Sequence, residues 1–304
     1  MVDILMATYN GEKFIKEQID SIIAQTYQDW NLYIHDDGST DNTVAVIKTY
    51  VDSRIHLIDD NVRFGNSTRN FLYLIENCVT SDYFMFSDQD DFWLPNKIQV
   101  TLDELIKLED GDKTVPICVG TDLKVVDSSL NVIDSSFYNY SKFISNSDFS
   151  TLLIENVFTG CTMCMNKVVV SYLKKLNSFY DNIIQHDWFI ALICASEGYI
   201  SQLPISTMLY RQHGNNEVGA NKFSFFKSFS IMKYKYKIKK IIGIKLRLFK
   251  QLKQLCDILN SDINKQLITD YVESRGLKHK YVIVNKKLAR SLVISKTLLK
   301  VILY

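Results

Sequence analysis

Short apolar runs alternate with amphipathic stretches through the first hundred residues, and that alternation predicts the elements. Asp3–Tyr9 reads as a strand that stops at Asn10-Gly11. Glu12–Thr26 places Phe14, Ile15, Ile19, Ile22 and Ile23 on one helical face. Leu32–His35 reads as a second strand running into Asp36-Asp37-Gly38-Ser39-Thr40. Ser39 or Thr40 is expected to cap the helix that carries Val44, Ile47 and Tyr50. A strand at Ile55–Ile58, a helix around Phe71–Ile75 and a strand at Tyr83–Ser87 follow. Pro95 then opens a helix bearing Ile98, Leu102 and Leu105. This order predicts a mainly parallel sheet with helices on both faces.

Beyond residue 115 the pattern turns mixed. Val115–Ser136 is strand-like, a helix is expected near Asp148–Glu155, and another from His186-Asp187-Trp188 to Gly198. A strand at Ile200–Tyr210 ends in Arg211-Gln212-His213-Gly214-Asn215-Asn216. Three predicted strand ends carry polar clusters: Thr8-Tyr9-Asn10, Asp36-Asp37 and Asp88-Gln89-Asp90-Asp91. Open α/β sheets bind ligands beyond the carboxyl ends of their strands, so these clusters predict one nucleotide-binding crevice. The last cluster is the most telling. An apolar run ends in three carboxylates within four residues, and burying unpaired carboxylates is costly. A hard divalent cation with oxygen ligands, Mg²⁺ or Mn²⁺, is the partner that would offset the cost.

Composition adds one feature. The chain has 304 residues, 47% hydrophobic and 23% charged, and a formal net charge of +1. That near-neutral sum hides a division. Residues 1–217 hold 15 Lys/Arg against 30 Asp/Glu, while residues 218–304 hold 20 against four. Between Glu217 and Asp257 eleven basic residues are interleaved with Phe223, Phe225, Phe226, Phe229, Tyr234 and Tyr236. The boundaries that follow are a domain at 1–217 and a basic amphipathic helical region at 218–304. Such a region fits an anionic membrane surface. An oligomer contact (a homodimer) or nucleic acid, the least favoured, would use the same composition. No stretch approaches the roughly 18 apolar residues of a membrane span. No leader-like segment precedes the first strand, so a cytoplasmic protein, peripheral at the inner face of the cell membrane, is expected. The six cysteines are scattered, and Cys161-Thr162-Met163-Cys164 lacks the second pair of a zinc site; reduced thiols are expected.

Five segments together carry a resemblance: Met6-Ala7-Thr8-Tyr9-Asn10, Ser21–Tyr27, Asp36–Asp41, Ser87-Asp88-Gln89-Asp90-Asp91 and His186-Asp187-Trp188. In that order they resemble the inverting glycosyltransferases of family 2, over roughly residues 1–215. The resemblance implies a GT-A fold, a Rossmann-like nucleotide-binding sheet. Phe86–Trp93 and Tyr210–Asn216 look most like bacterial rhamnosyltransferases of surface-polysaccharide synthesis, capsule or cell wall. A dTDP-L-rhamnose donor is therefore implied, with a UDP-hexose or UDP-N-acetylhexosamine as the alternative, and a lipid-linked glycan as acceptor.

The same resemblance assigns roles. Asp90 is the surer ligand of Mn²⁺ or Mg²⁺, with Asp88 beside it or near the ribose, and His213 completes the metal site or meets phosphate. Asp37 would accept the N3–H of a uracil or thymine ring, Tyr9 would pack on the base, and Ala7, Arg69 and Gln89 would also face the donor. Asp187 is the base that deprotonates the acceptor hydroxyl, as an inverting displacement requires. Its position at a helix start is expected to favour the ionised form. His186, Trp188 and Gly160 would line the acceptor side, and Asp91 would stand behind the metal or begin a helix. The Gln-x-x-Arg-Trp motif of processive members is absent, implying one transfer per encounter. A phosphatase using Asp88 and Asp90 would expect Thr or Val at position 92, which is Phe. A non-catalytic membrane-bound adaptor is the remaining alternative.

Overall fold

A computed structural model describes residues 1–141, 147–153, 155–176, 180–213 and 247–273. Four parallel strands form its first half: β1 (Val2–Thr8), β2 (Trp30–Asp36), β3 (Ile55–Ile58) and β4 (Tyr83–Ser87). The sheet continues through β5 (Phe92–Trp93), β6 (Ile117–Val126), β7 (Val132–Asp134), β8 (Cys164–Asn166) and β9 (Tyr199–Arg211). Its order is β3-β2-β1-β4-β8-β6-β9-β5, with β7 on β6. β8 runs antiparallel to both β4 and β6, so the sheet is mixed, as GT-A sheets are.

Helices cover both faces because the strands alternate. Val2, Ile4 and Met6 point into one apolar cluster with α1 (Ile15–Ile23), α2 (Thr43–Ile47) and α4 (Lys97–Glu109). Leu5, Phe84 and Phe86 point into the other, with α3 (Ser67–Cys78), α6 (Phe149–Leu152), α7 (Val168–Lys174) and α8 (His186–Glu197). Helix α5 is Phe137–Ser141. Two further helices, α9 (247–258) and α10 (Asp262–Glu273), add Leu248, Leu252, Leu255, Ile258, Leu259 and Ile268 to this second cluster. These residues lie within the basic region, so part of that region shares the core. Residues 214–246 and 274–304, which hold most of its charge and the end of the 211–216 motif, lie outside the described residues. Among the described residues no helix is long and apolar enough to cross a membrane.

One local expectation changes. Neither Ser39 nor Thr40 caps α2, whose N-cap is Asn42. Ser39 is engaged by Asp36, the Thr40 N–H goes to Asn10 Oδ1, and Asp41 Oδ1 receives the Thr43 N–H instead. On and just after α1, Gln18, Ser21 and Gln25 face inward. Gln18 donates to Ser87 Oγ (2.8 Å), Ser21 Oγ accepts the Trp93 N–H (3.0 Å), and Gln25 bridges Leu94 O and Ile98 N. These bonds pin the chain on both sides of the acidic loop.

Candidate active site

The register aligns the three polar strand ends. Thr8 lies opposite Asp36 and Met6 opposite Ser87, so the residues that follow open on one edge. Asp36 organises the first turn, accepting from Thr8 Oγ1 (2.8 Å), Gly38 N (3.1 Å), Ser39 N (2.7 Å) and Ser39 Oγ (2.6 Å). Asp37 is half-buried and receives the backbone N–H groups of Phe64 (2.5 Å) and Asn66 (3.2 Å). A carboxylate has about four lone-pair sites, so it retains room for a further donor. Tyr9 is 54% exposed at the rim, with Ala7 two residues behind it on β1. Gln89 clamps Tyr9 as a neighbouring strand would, accepting its N–H (3.0 Å) and donating to its carbonyl (2.9 Å). Gly11 makes this possible, since a Cβ there would meet Gln89 Oε1 at 2.2 Å. Arg69, in the first turn of α3, pairs with Asp181 on the surface.

The acidic loop divides its three carboxylates by burial. Asp88 and Asp90 are partly exposed, whereas Asp91 is enclosed. His213 Nε2 lies 2.7 Å from Asp90 Oδ2, and its ring packs on Phe14 at 4.9 Å. Arg211, 2% exposed, holds the loop from beneath: its backbone N–H reaches Asp91 Oδ1 (3.1 Å) and its Nε reaches the Asp90 carbonyl (2.8 Å). Its remaining guanidinium nitrogens serve Ser128 O and Glu17 Oε2. Asp91 thus stands beneath the loop at the entry to β5, six residues before α4, and does not begin a helix.

Ligand atoms of Asp88, Asp91 and Cys161 lie within 4.8 Å of one another, a candidate divalent-metal cluster. Burial, with the charges of Asp90 and Asp88 adding, pushes the Asp91 carboxyl well above its ordinary value, and its Oδ2 has no hydrogen-bond partner. Burial also keeps the Cys161 thiol protonated, so the hard oxygens rather than sulfur suit a cation here. The carboxylate oxygens there fit a hard divalent cation.

Asp187 sits in the first turn of α8, with Gln185 as N-cap. Its Oδ1 accepts from Trp188 N (2.6 Å) and Asn156 Nδ2 (3.1 Å), and Oδ2 from Gly160 N (3.0 Å). Burial drives its carboxyl up to about 6 despite these bonds. The expected pull of the helix start toward the ionised form is outweighed by desolvation, although a carboxyl near 6 is still ionised at neutral pH. The 3₁₀ turn Gly160–Thr162 runs between the two acidic groups, since the Gly160 N–H bonds Asp187 while the Cys161 sulfur lies within 4.8 Å of the Asp91 and Asp88 carboxylates.

Two expected acceptor contacts are placed inside instead. Trp188 is 7% exposed and donates its indole N–H to Leu152 O (2.7 Å), so its ring belongs to the core and offers no open stacking face. His186 is sandwiched against Phe71 (4.3 Å) and Phe86 (4.6 Å), with neither ring nitrogen partnered. Burial pulls it down to about 3, so it is a neutral ring. Packing took both because α8 is buried almost all round.

With this geometry, comparison with known proteins is decisive. The family model described as glycosyl transferase family 2 matches residues 3–170. The chain is a family 2 glycosyltransferase. It is 31% identical over 284 residues to the dTDP-rhamnosyl transferase RfbG of Shigella flexneri, covering 88% of this chain and 89% of that one. It is 25% identical over 230 residues to the UDP-Glc:alpha-D-GlcNAc-diphosphoundecaprenol beta-1,3-glucosyltransferase WfgD of Escherichia coli, covering 75% and 83%. In fold it resembles S. aureus TarS 1-349 in complex with UDP-GlcNAc, with a TM-score of 0.56 and 16% identity over 97% of this chain and 74% of that chain. The glycosyltransferase is therefore an enzyme of sugar transfer from a nucleotide-sugar donor to a glycan acceptor.

Three supports escaped the sequence reading. Arg211 stood in a quoted motif without a role, and neither Asn156 nor Lys97 was singled out. Lys97 is fully buried over the Trp93 ring (4.8 Å), and burial pulls its ammonium down to about 8. Its sole advance sign is its spacing, six residues after Asp91 on the buried face that Ile98 and Leu102 define.

Proposed function

We propose that the glycosyltransferase moves a hexose, with inversion, from a pyrimidine nucleotide sugar to a hydroxyl of a lipid-linked glycan in bacterial surface-polysaccharide synthesis. The observation that carries this reading is the turn at Gly160-Cys161, where Gly160 bonds the buried Asp187 carboxyl and the next residue lies within 4.8 Å of the acidic loop's Asp88 and Asp91. Asp187 Oδ takes the acceptor proton as the acceptor oxygen bonds the anomeric carbon. The bond from that carbon to the nucleoside diphosphate breaks with its electron pair on the phosphate oxygen. A carboxyl near 6 is ionised at neutral pH yet still basic enough for this task. Asp90, Asp88 and His213 would hold Mn²⁺ or Mg²⁺, whose charge stabilises the departing diphosphate. Asp37 would accept the base N3–H, with Tyr9, Ala7, Gln89 and Arg69 bordering the donor. Gly160 is the acceptor-side residue whose backbone orients the base.

A UDP-linked hexose or N-acetylhexosamine is the donor named for more of the similar proteins. The second reading, dTDP-L-rhamnose, is favoured by the 31% identity to RfbG. Residues 218–304 would hold the enzyme at the inner leaflet through their basic and aromatic side chains. A panel of UDP- and dTDP-sugars, with and without Mg²⁺ or Mn²⁺, tests the donor by thermal shift and slow donor hydrolysis. Stabilisation by a pyrimidine nucleotide sugar with metal is expected. No response to any of them would sink the reading.

A further inference from the structure

His35 closes β2 immediately before Asp36-Asp37, and its side chain is wholly buried. A histidine in such a place ordinarily donates through one nitrogen and accepts through the other. Here both nitrogens face oxygens. Nδ1 lies 2.8 Å from Asn70 Oδ1, and Nε2 lies 3.2 Å from Asp60 Oδ1. The Asn70 amide cannot be reversed, because its Nδ2 donates to the His35 carbonyl (3.2 Å) and a carbonyl only accepts. Nδ1 must therefore carry hydrogen.

Asp60 makes the same demand on Nε2. Its carboxylate also receives the Val62 N–H (3.0 Å) and the Tyr73 hydroxyl. These two donors favour the ionised form of the Asp60 carboxyl against the burial that disfavours it. Tyr73, pushed up to about 12 mainly by its bond to Asp60, keeps its proton. Asp60 is thus an anion surrounded by donors, and Nε2 is one of them. Phe64 and Tyr73 close over the ring at 5.6 and 5.0 Å, so Tyr73 joins Asp60 as a titratable group in contact with it.

We propose that His35 is held as an imidazolium donating through both nitrogens, and that it is a positioning residue for the nucleotide base. Its two bonds fasten the start of the 60–66 loop and the first turns of α3 to the end of β2. The same loop supplies the Phe64 and Asn66 N–H groups that orient Asp37, and Arg63 Nη1 reaches the Asp36 carbonyl (3.1 Å). The proposal rests on the reading that Asp37 meets a pyrimidine base. It adds a buried cation that sets where Asp37 points, through contacts that do not touch the donor.

Two measurements on the full-length enzyme decide it. Nitrogen NMR of labelled histidine at pH 7.5, with His35 assigned from the loss of its signals in His35→Gln, should show two protonated ring nitrogens. One bare nitrogen overturns the proposal. Donor kinetics should then show His35→Gln and Asp60→Asn each raising donor KM about tenfold, with kcat within about twofold, and the double variant no worse than either single. Asp60→Asn keeps the side chain's shape and serves if His35→Gln fails to fold. Additive losses, or a fall in kcat at constant KM, would overturn the positioning role. Failure of wild-type enzyme to bind any UDP or dTDP nucleotide defeats the donor reading instead, and leaves the nitrogen spectrum to decide the state of His35.

Discussion

Asp36 and Asp187 are almost equally buried, at 6% and 8% exposure, yet their surroundings treat the negative charge differently. Asp36 accepts four hydrogen bonds from Thr8, Gly38 and Ser39, a turn built to hold an anion. Asp187 accepts three, and burial still drives it up to about 6. The same division separates the two ends of the crevice. Around Asp36 and Asp37 the polar atoms are satisfied and the backbone is fixed. Around Asp187 and Asp91 lie a raised carboxyl, a neutral unpaired His186 and an unpaired Lys97. Fixed geometry suits recognition of a base, whereas retained affinity for a proton suits chemistry. Such perturbed groups cluster where binding or proton transfer is required.

The largest expected effect comes from removing the proton acceptor. Asp187→Asn should lower kcat about 10³-fold while donor KM changes little, measured by nucleotide release. Asp36→Asn should do the reverse, weakening donor binding and stability first. If the two variants lose kcat alike, the contrast between the ends fails.

Asp90→Asn should come next, costing about 10²-fold in kcat and abolishing the response to Mn²⁺ titration. Unchanged metal dependence would move the cation away from this loop.

The pH profile sharpens the comparison with opposite signs. For Asp187 the native carboxyl binds its proton more tightly than the unfolded chain, about 6 against 3.8. Its contribution to stability therefore falls as pH rises between these values, by on the order of 3 kcal/mol, and the full cost persists above 6. For His186 the native ring, near 3, binds its proton less tightly than the ordinary 6.5. Its contribution is intact above 6.5 and is lost as pH falls toward 3. His186→Leu should accordingly lose about 2 kcal/mol less stability than wild type between pH 7 and pH 5, read by urea unfolding. Activity should rise with pH through about 6 and then level, as Asp187 ionises.

The smallest effect is expected at the rim. Gly11→Ala displaces Gln89 Oε1, a flexible group, and breaks its clamp on Tyr9. Donor KM should rise about fivefold, equivalent to roughly 1 kcal/mol, with kcat unchanged. A tenfold fall in kcat would show that the clamp reaches the reacting end.

Much of this was written along the chain. The β1–β4 strands follow from short apolar runs, and the polar clusters at their ends follow from where those runs stop. Parallel pairing then guarantees that Thr8, Asp36 and Ser87 share an edge, so the crevice was legible before any coordinate. The acidic loop was legible too, because three adjacent carboxylates demand compensation. Less visible were short-range choices between equivalent groups. Ser39 and Thr40 look like caps, but Asp36 and Asn10 reach them first. Trp188 looks like a sugar platform, but α8 is enclosed on every side.

The order of residues by itself determined the family, the four parallel strands β1–β4 and the candidate chemistry, since these depend on periodicity and on which residues end each strand. Tertiary structure alone decided the charge states. Proton affinity depends on how much water burial removes and how many donors arrive from distant parts of the chain. Gly160 and Asn156 at Asp187, and Arg211 at Asp91, are 27 to 120 residues from the groups they serve, brought there only by the folded sheet and its helices.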